Sequence, residues 1–290
     1  MLIIENDYLK IQIQEFGAEL TSIFNKKDNI EHLWQADPMY WGWHAPVLFP
    51  VVGRCLNDTI SIDGLNYLME KHGFARKSTF IVVKKNEHQI TLQLSSNENT
   101  LKLYPYKFQF DITYTLQDHE LKISYSVKNI DDKDIFYSIG GHPAINAPFY
   151  THEKYNDYYL EFPLDTSLKR EFISIDGFFV GQHEEVLNGQ HNLFLSDNLF
   201  ENDALIFKKI NSKKIYLKSI NHKKYLSFSF DDFDYLGIWA KVGAPYVCIE
   251  PWLGCADTVD NKVDFKSKEG IQKVKEGESK KVSYSIAIHQ

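Results

Sequence analysis

Phe108-Gln-Phe-Asp-Ile-Thr-Tyr-Thr-Leu-Gln117 and Leu121-Lys-Ile-Ser-Tyr-Ser-Val127 alternate apolar and polar residues, one for one, on either side of the turn signal Gln117-Asp118. A period of two puts Phe108, Phe110, Ile112, Tyr114 and Leu116 on one face and their polar neighbours on the other. This is the pattern of an antiparallel sheet with one solvated side. The same period recurs outward along the chain: Leu9, Ile11 and Ile13; Ile90, Leu92 and Leu94; Ile215, Leu217 and Ile220; Leu226, Phe228 and Phe230; Val282, Tyr284, Ile286 and Ile288. Turn-forming clusters such as Asn25–Asp28, Asp63-Gly64, Asn129–Asp132 and Asn211-Ser212 separate these runs. Helical spacing is confined to short segments such as Asp37 to Trp43. The expected fold class is therefore all-β. A chain with this many strand edges must close or stack its sheets, which favours a large antiparallel β-sandwich forming a single domain over residues 1–290. A β-propeller would show a repeated blade signature, and none is visible.

The composition limits the function classes. Hydrophobic residues make up 43% and charged residues 24% of the 290, as expected of a globular chain. The 32 basic and 39 acidic residues give a net charge of −7, and no basic stretch could track a phosphate backbone, so nucleic acid is not an expected partner. Neither a signal-peptide pattern at Met1–Asp7 nor an apolar run of membrane-spanning length is present; the run Ala45–Gly53 is interrupted by Pro46 and Pro50. Cys55, Cys248 and Cys255 match no zinc-ribbon or redox spacing, and read as free thiols of a cytoplasmic protein.

Nucleotide fingerprints, nucleophile elbows and paired metal-ligand motifs are missing, so no cofactor and no metal are expected. His152-Glu153 and His183-Glu184 lack a further ligand at a usable offset and read as surface residues. What stands out is a set of ionisable residues where apolar runs break beside Gly or Pro: Gly53-Arg54, Lys71-His72-Gly73-Phe74-Ala75-Arg76, Gly140-Gly141-His142-Pro143-Ala144 and Ile249-Glu250-Pro251-Trp252. Each alone is compatible with a turn or a solvated strand end. Together, two His, a Glu and an Arg in apolar surroundings are costly unless they pair or serve a site. Even offsets put Cys248 on the same strand face as Glu250.

This ordered set resembles the aldose 1-epimerase (galactose mutarotase) superfamily, and is most similar to its LacX-like bacterial branch. The opening Gly17-Ala18-Glu19-Leu20-Thr21-Ser22 is similar to the family's usual start. The resemblance implies an antiparallel sandwich with an open cleft and interconversion of the α and β anomers of a hexose without a cofactor. It further implies Glu250 as general base on the C1 hydroxyl, His142 as general acid on the ring oxygen and His72 as a second donor. Arg54 and Asp203 would bind sugar hydroxyls. Trp252 is the preferred candidate to cover a sugar face, with Trp34, Trp41, Trp43 and Trp239 as others. The acid–base reading expects an ionised Glu250 beside a protonated His142.

The sequence also departs from the galactose mutarotases proper. Gly53, rather than Asn, precedes the arginine, Asn57 follows three residues after it as a further candidate sugar contact, and only Leu68–Lys71 precede the first histidine. These departures leave the sugar open. A hexose-6-phosphate 1-epimerase would need basic residues at the rim, for which Arg76 and Lys77 are candidates, and a non-catalytic carbohydrate-binding or sugar-sensing protein could keep the same sandwich. The expected partner is a small sugar, the free hexose first, and the chain could be a monomer or a homodimer.

Overall fold

The computed structural model describes residues 1–260 and 263–289. With 46% strand and 6% helix it is all-β. Among the described residues the strands fall mainly into two large antiparallel sheets. The first has nine strands, running across the sheet as Asn192–Phe194, Tyr158–Glu161, Lys214–Ser219, Tyr225–Ser229, Ser279–His289, Glu120–Asn129, Phe108–Gln117, Gln89–Ser95 and Ile81–Lys85. Phe108–Gln117 and Glu120–Asn129 pair from Phe108↔Asn129 to Gln117↔Glu120, with Asp118 at the turn in the left-handed region (φ 49°) that Asp tolerates. Phe108, Phe110, Ile112, Tyr114 and Leu116 are all buried, as the alternation requires.

The second sheet runs Phe179–Glu185, Lys169–Ile173, Leu205–Phe207, Tyr235–Trp239, Tyr246–Leu253, Ile139–Gly141 and Val47–Leu48, with Ala144–Asn146 also paired to Tyr246–Leu253. All eight residues of Tyr246–Leu253 are buried. Its odd-numbered side chains face the sandwich core, and its even-numbered ones lie on the other face. Aromatic rings join the two sheets: Phe49 stacks on Phe110 at 4.6 Å and meets Phe108 at 5.2 Å, while Phe233 packs edge-on to Tyr284 at 6.0 Å. Each fully buried Phe contributes roughly 1.5–3 kcal/mol of transfer free energy.

Local differences from the sequence reading have physical causes. Ile220 is 63% exposed, because Ser219 takes the in-phase position and the strand ends there. Asp37–Trp43 is a turn rather than a helix: the Asp37 carboxylate accepts from the Met39 N–H, and its carbonyl accepts from Tyr40 and Trp41. A helix forms instead at Glu98–Leu103, started by a capping box in which the Asn97 side chain accepts from Thr100 N–H and the Thr100 hydroxyl accepts from Asn97 N–H. Glu153, expected at the surface, is buried. It accepts from the Tyr158 hydroxyl and lies 3.4 Å from His222 Nε2, so partners rather than water satisfy it. Among the described residues, no helix is long and apolar enough to cross a membrane.

His32 is a core residue with consequences for stability. It is buried, and neither ring nitrogen has a hydrogen-bond partner. Burial, reinforced by Lys224 and opposed by Asp28, lowers its pKa to about 4. The unfolded chain therefore binds the extra proton between the ordinary value of 6.5 and about 4. Stability falls as pH drops through that window, by roughly 1.4 kcal/mol per pH unit for one such group. His32→Gln is expected to flatten the denaturation midpoint against pH between 6.5 and 4 by one proton's worth. An unchanged slope would show that His32 does not stay neutral in the fold.

Candidate active site

Glu250 sits mid-strand opposite Gly237, with Ile238↔Ile249 and Trp239↔Cys248 completing the local register. On its other side the ladder is interrupted. Ile139 and Gly140 pair with Leu253 and Trp252, and Ala144–Asn146 pair with Cys248, Val247 and Tyr246. Between them the chain leaves regular pairing at Gly141-His142-Pro143, keeping one bond from Ile249 N–H to the Pro143 carbonyl at 3.2 Å. Pro143 and Pro251 have no N–H to donate, so neither could complete a regular ladder here. The break turns His142 toward the cleft, and its Nε2 lies 3.2 Å from Glu250 Oε2.

His72 reaches the same place from a loop. Its backbone has φ 67° and that of Gly73 φ 72°; a Cβ on Gly73 would lie 2.2 Å from the Phe49 carbonyl oxygen, so only glycine fits. The loop is tied down by His72 N–H donating to the Gly53 carbonyl (2.8 Å) and Gly53 N–H donating to His72 Nδ1 (3.2 Å). With Nδ1 accepting, neutral His72 carries its proton on Nε2 and is a donor there. The His72 and His142 rings meet edge-on, 5.8 Å apart.

Aromatic rings wall the pair. Trp41 stacks on His142 at 4.8 Å, and Trp239 meets the same imidazole edge-on at 5.9 Å. Trp252 lies across two strands at positions that lack side chains: a Cβ on Gly140 would come within 2.5 Å of its indole, and one on Gly237 within 2.7 Å. The resulting cleft has a volume of about 750 Å³, within the range of roughly 300–1,000 Å³ usual for small-molecule sites.

His72, His142, Glu250, Trp252, Arg76 and Asp203 all line this cleft. Arg76 is partly buried over Trp43 (5.4 Å), donates to the Lys71 carbonyl at 2.8 Å, and keeps a buried Nε without a partner. Asp203, at φ 66°, accepts from the Ala204 N–H. Arg54 stands apart from this group. It makes a bidentate pair with Asp58 (2.8 and 3.0 Å) and lines an adjoining pocket of about 400 Å³, which shares Lys71, Ile175, Gly177 and Asp203 with the cleft. Asn57 is exposed and lines neither cavity. Lys77 is paired with Glu70 outside the cleft, and Lys71 and Lys241 line it instead. Lys71 was adjacent in sequence to His72, the one signal that could have singled it out.

Burial sets the charge state of the pair. Desolvation pushes the Glu250 carboxyl well above its ordinary range, with Lys71 opposing and Asp203 reinforcing the shift. Desolvation also lowers His142 to about 3 and holds His72 well below the usual imidazole value. The sequence reading had an ionised Glu250 beside a protonated His142. Burial opposes this by favouring the neutral form of each group, while their approach to 3.2 Å favours the charged pair.

Residues 1–273 match the family model described as aldose 1-epimerase. The plasmid-borne protein LacX of Lactococcus lactis subsp. lactis is 34% identical over 294 aligned positions, covering 98% of each chain. A galactose mutarotase related enzyme from Lactobacillus acidophilus superposes with a TM-score of 0.94 at 34% identity, over 100% of this chain and 97% of that one. A galactose mutarotase-like protein from Lactobacillus casei gives 0.93 at 33% identity, over 100% of both.

The glycine seat of Trp252 is open to test. Gly237→Ala is expected to lower stability by about 1–3 kcal/mol through overpacking against the indole. Gly42→Ala, where an added Cβ meets nothing within 4 Å, should change stability by less than about 0.5 kcal/mol. Equal urea midpoints for the two variants would show that the indole does not fill that space.

Proposed function

The chain belongs to the aldose 1-epimerase family, and on that premise we propose that it is a cofactor-independent isomerase that interconverts the α and β anomers of a hexose. The observation that carries the reading is the buried Glu250–His142 pair, 3.2 Å apart at the wall of the cleft. Mutarotation needs one oxygen to lose a proton while its neighbour gains one, and a pair with one proton and one vacancy suits that exchange. Sugar hydroxyls arriving beside Glu250, together with Lys71, favour its carboxylate and move the proton to His142. Glu250 then takes the proton from the C1 hydroxyl, and His142 delivers its own to the ring oxygen as the C1–O5 bond breaks. Rotation about C1–C2 exposes the other face of the aldehyde, and reversal of both transfers closes the opposite anomer. His72 Nε2–H donates toward the ring oxygen. Asp203 and Arg76 bind hydroxyls, and Trp41, Trp239 and Trp252 cover C–H edges. Arg54, held by Asp58, acts at the adjoining pocket on parts of the sugar remote from C1. A cytoplasmic setting suits three buried cysteines that form no disulfide.

A second reading has its own support. Lys71, Arg76 and Lys241 all line the cleft, and the Nε of Arg76 has no partner, so a phosphorylated hexose is the competing substrate. Freshly dissolved α-D-glucose, α-D-galactose and α-D-glucose 6-phosphate, followed by polarimetry or anomeric-proton NMR, rank these substrates. Glu250→Gln and His142→Asn should each lower the rate by roughly 10²–10⁴-fold with the fold intact. Full activity in either variant would remove that residue from proton transfer. Binding without any rate enhancement would move the protein to a sugar-binding role.

The acid limb of kcat/KM is also expected well below pH 6.5, because burial holds His142 near 3 and the pair takes up its second proton late. Activity should therefore be level from about pH 7 down to pH 5. A half-point close to 6.5 would show an imidazole with ordinary solvation.

A further inference from the structure

Cys248 lies two residues before Glu250 on the same strand face and is fully buried with a free thiol. One ligand atom each from His142, Cys248 and Glu250 falls within 4.8 Å of the other two. The His142–Glu250 separation of 3.2 Å is already close to the roughly 3.3–3.5 Å between neighbouring ligands of a tetrahedral zinc ion. We propose that His142, Cys248 and Glu250 form a binding site for a thiophilic divalent cation of the zinc class, and that its occupation shuts off the site.

Three features favour such a cation over a hard one. A thiolate, an imidazole and a carboxylate are the donor types zinc and cobalt select, whereas calcium and magnesium need oxygen ligands throughout. A thiolate and a carboxylate carry two negative charges and neutral imidazole none, so a divalent ion is neutralised in a place where an unbalanced charge would be expensive. Of the three ligands, His142 and Glu250 line the cleft and Cys248 is fully buried, and three protein ligands leave a fourth position for a water or an exchangeable ligand, as in open zinc sites. Binding exchanges the cation for the Cys248 thiol proton and for the proton shared by Glu250 and His142, both released to solvent. The ion then occupies the lone pairs that proton transfer needs. Lys71 and Arg76, nearby cations at the cleft, oppose entry and set a limit on affinity.

The effect on turnover rests on the function proposed above; the existence of the site does not. Cobalt(II) titration of the full chain reads the site directly through the thiolate-to-metal charge-transfer band. One equivalent should produce the band in the wild type, and Cys248→Ser and Cys248→Ala should each abolish it, with near-UV circular dichroism reporting that they fold. In the anomerisation assay, zinc should inhibit the wild type. Either variant should keep its basal rate and need at least about 10-fold more zinc for half inhibition. No charge-transfer band in the wild type, a band that persists in both variants, or equal zinc sensitivity in all three proteins would overturn the proposal. A protein that binds cobalt through Cys248 but never accelerates anomerisation would retain the metal site and lose the proposed reaction.

Discussion

Glu250 and His142 face each other at 3.2 Å, both largely buried at the wall of the cleft, and the rest of the site is arranged around that constraint. Two groups that would each ionise in water are held where ionisation is expensive, and each is the other's nearest compensation. Separately, a buried acid and a buried imidazole would each be a liability to the fold. Side by side they are close to balanced, and small changes in local polarity decide which one carries the proton. A sugar bringing several hydroxyls into the cleft is such a change. Burial of both groups explains why Lys71, which lines the cleft, influences them despite its own exposure.

The pair meets only because two strands fail to be regular. Gly141-His142-Pro143 breaks the ladder beside Tyr246–Leu253, and Pro251 prevents that central strand from repairing the gap. Glycines on the flanking strands leave room for Trp252 to lie flat against the sheet, and the constrained Gly73 brings His72 in from a loop. Pro143 and Pro251 thus stand where the sheet gives up pairing, while Gly140 and Gly237, within paired strands, leave room for the indole. The hydrophobic packing behind them, centred on Phe49 against Phe108 and Phe110, keeps these breaks local. The buried Cys248 belongs to the same geometry, since the strand that points Glu250 into the cleft must point residue 248 the same way.

Much was legible from the sequence because a sheet writes its period directly into the chain. Alternation at Phe108–Leu116, Leu121–Val127 and Val282–Ile288 depends on which face of a strand meets the core, a property each residue carries locally. The all-β class follows from it. The segments with Gly, Pro and an ionisable group at one break were equally visible, and His72, His142, Glu250, Trp252, Arg76 and Asp203 do line one cleft. The sequence could not decide what depends on distances between remote residues. Arg54 was set beside a sugar by its motif, yet in space Asp58, four residues on, takes its guanidinium to an adjoining pocket. Trp41 and Trp239 joined the pair only through the path of the chain, and Glu153 was drawn inward by Tyr158 and His222. The charge state depends on the same thing: proximity of Glu250 and His142 could be inferred from a motif, but their burial is a property of the packed whole.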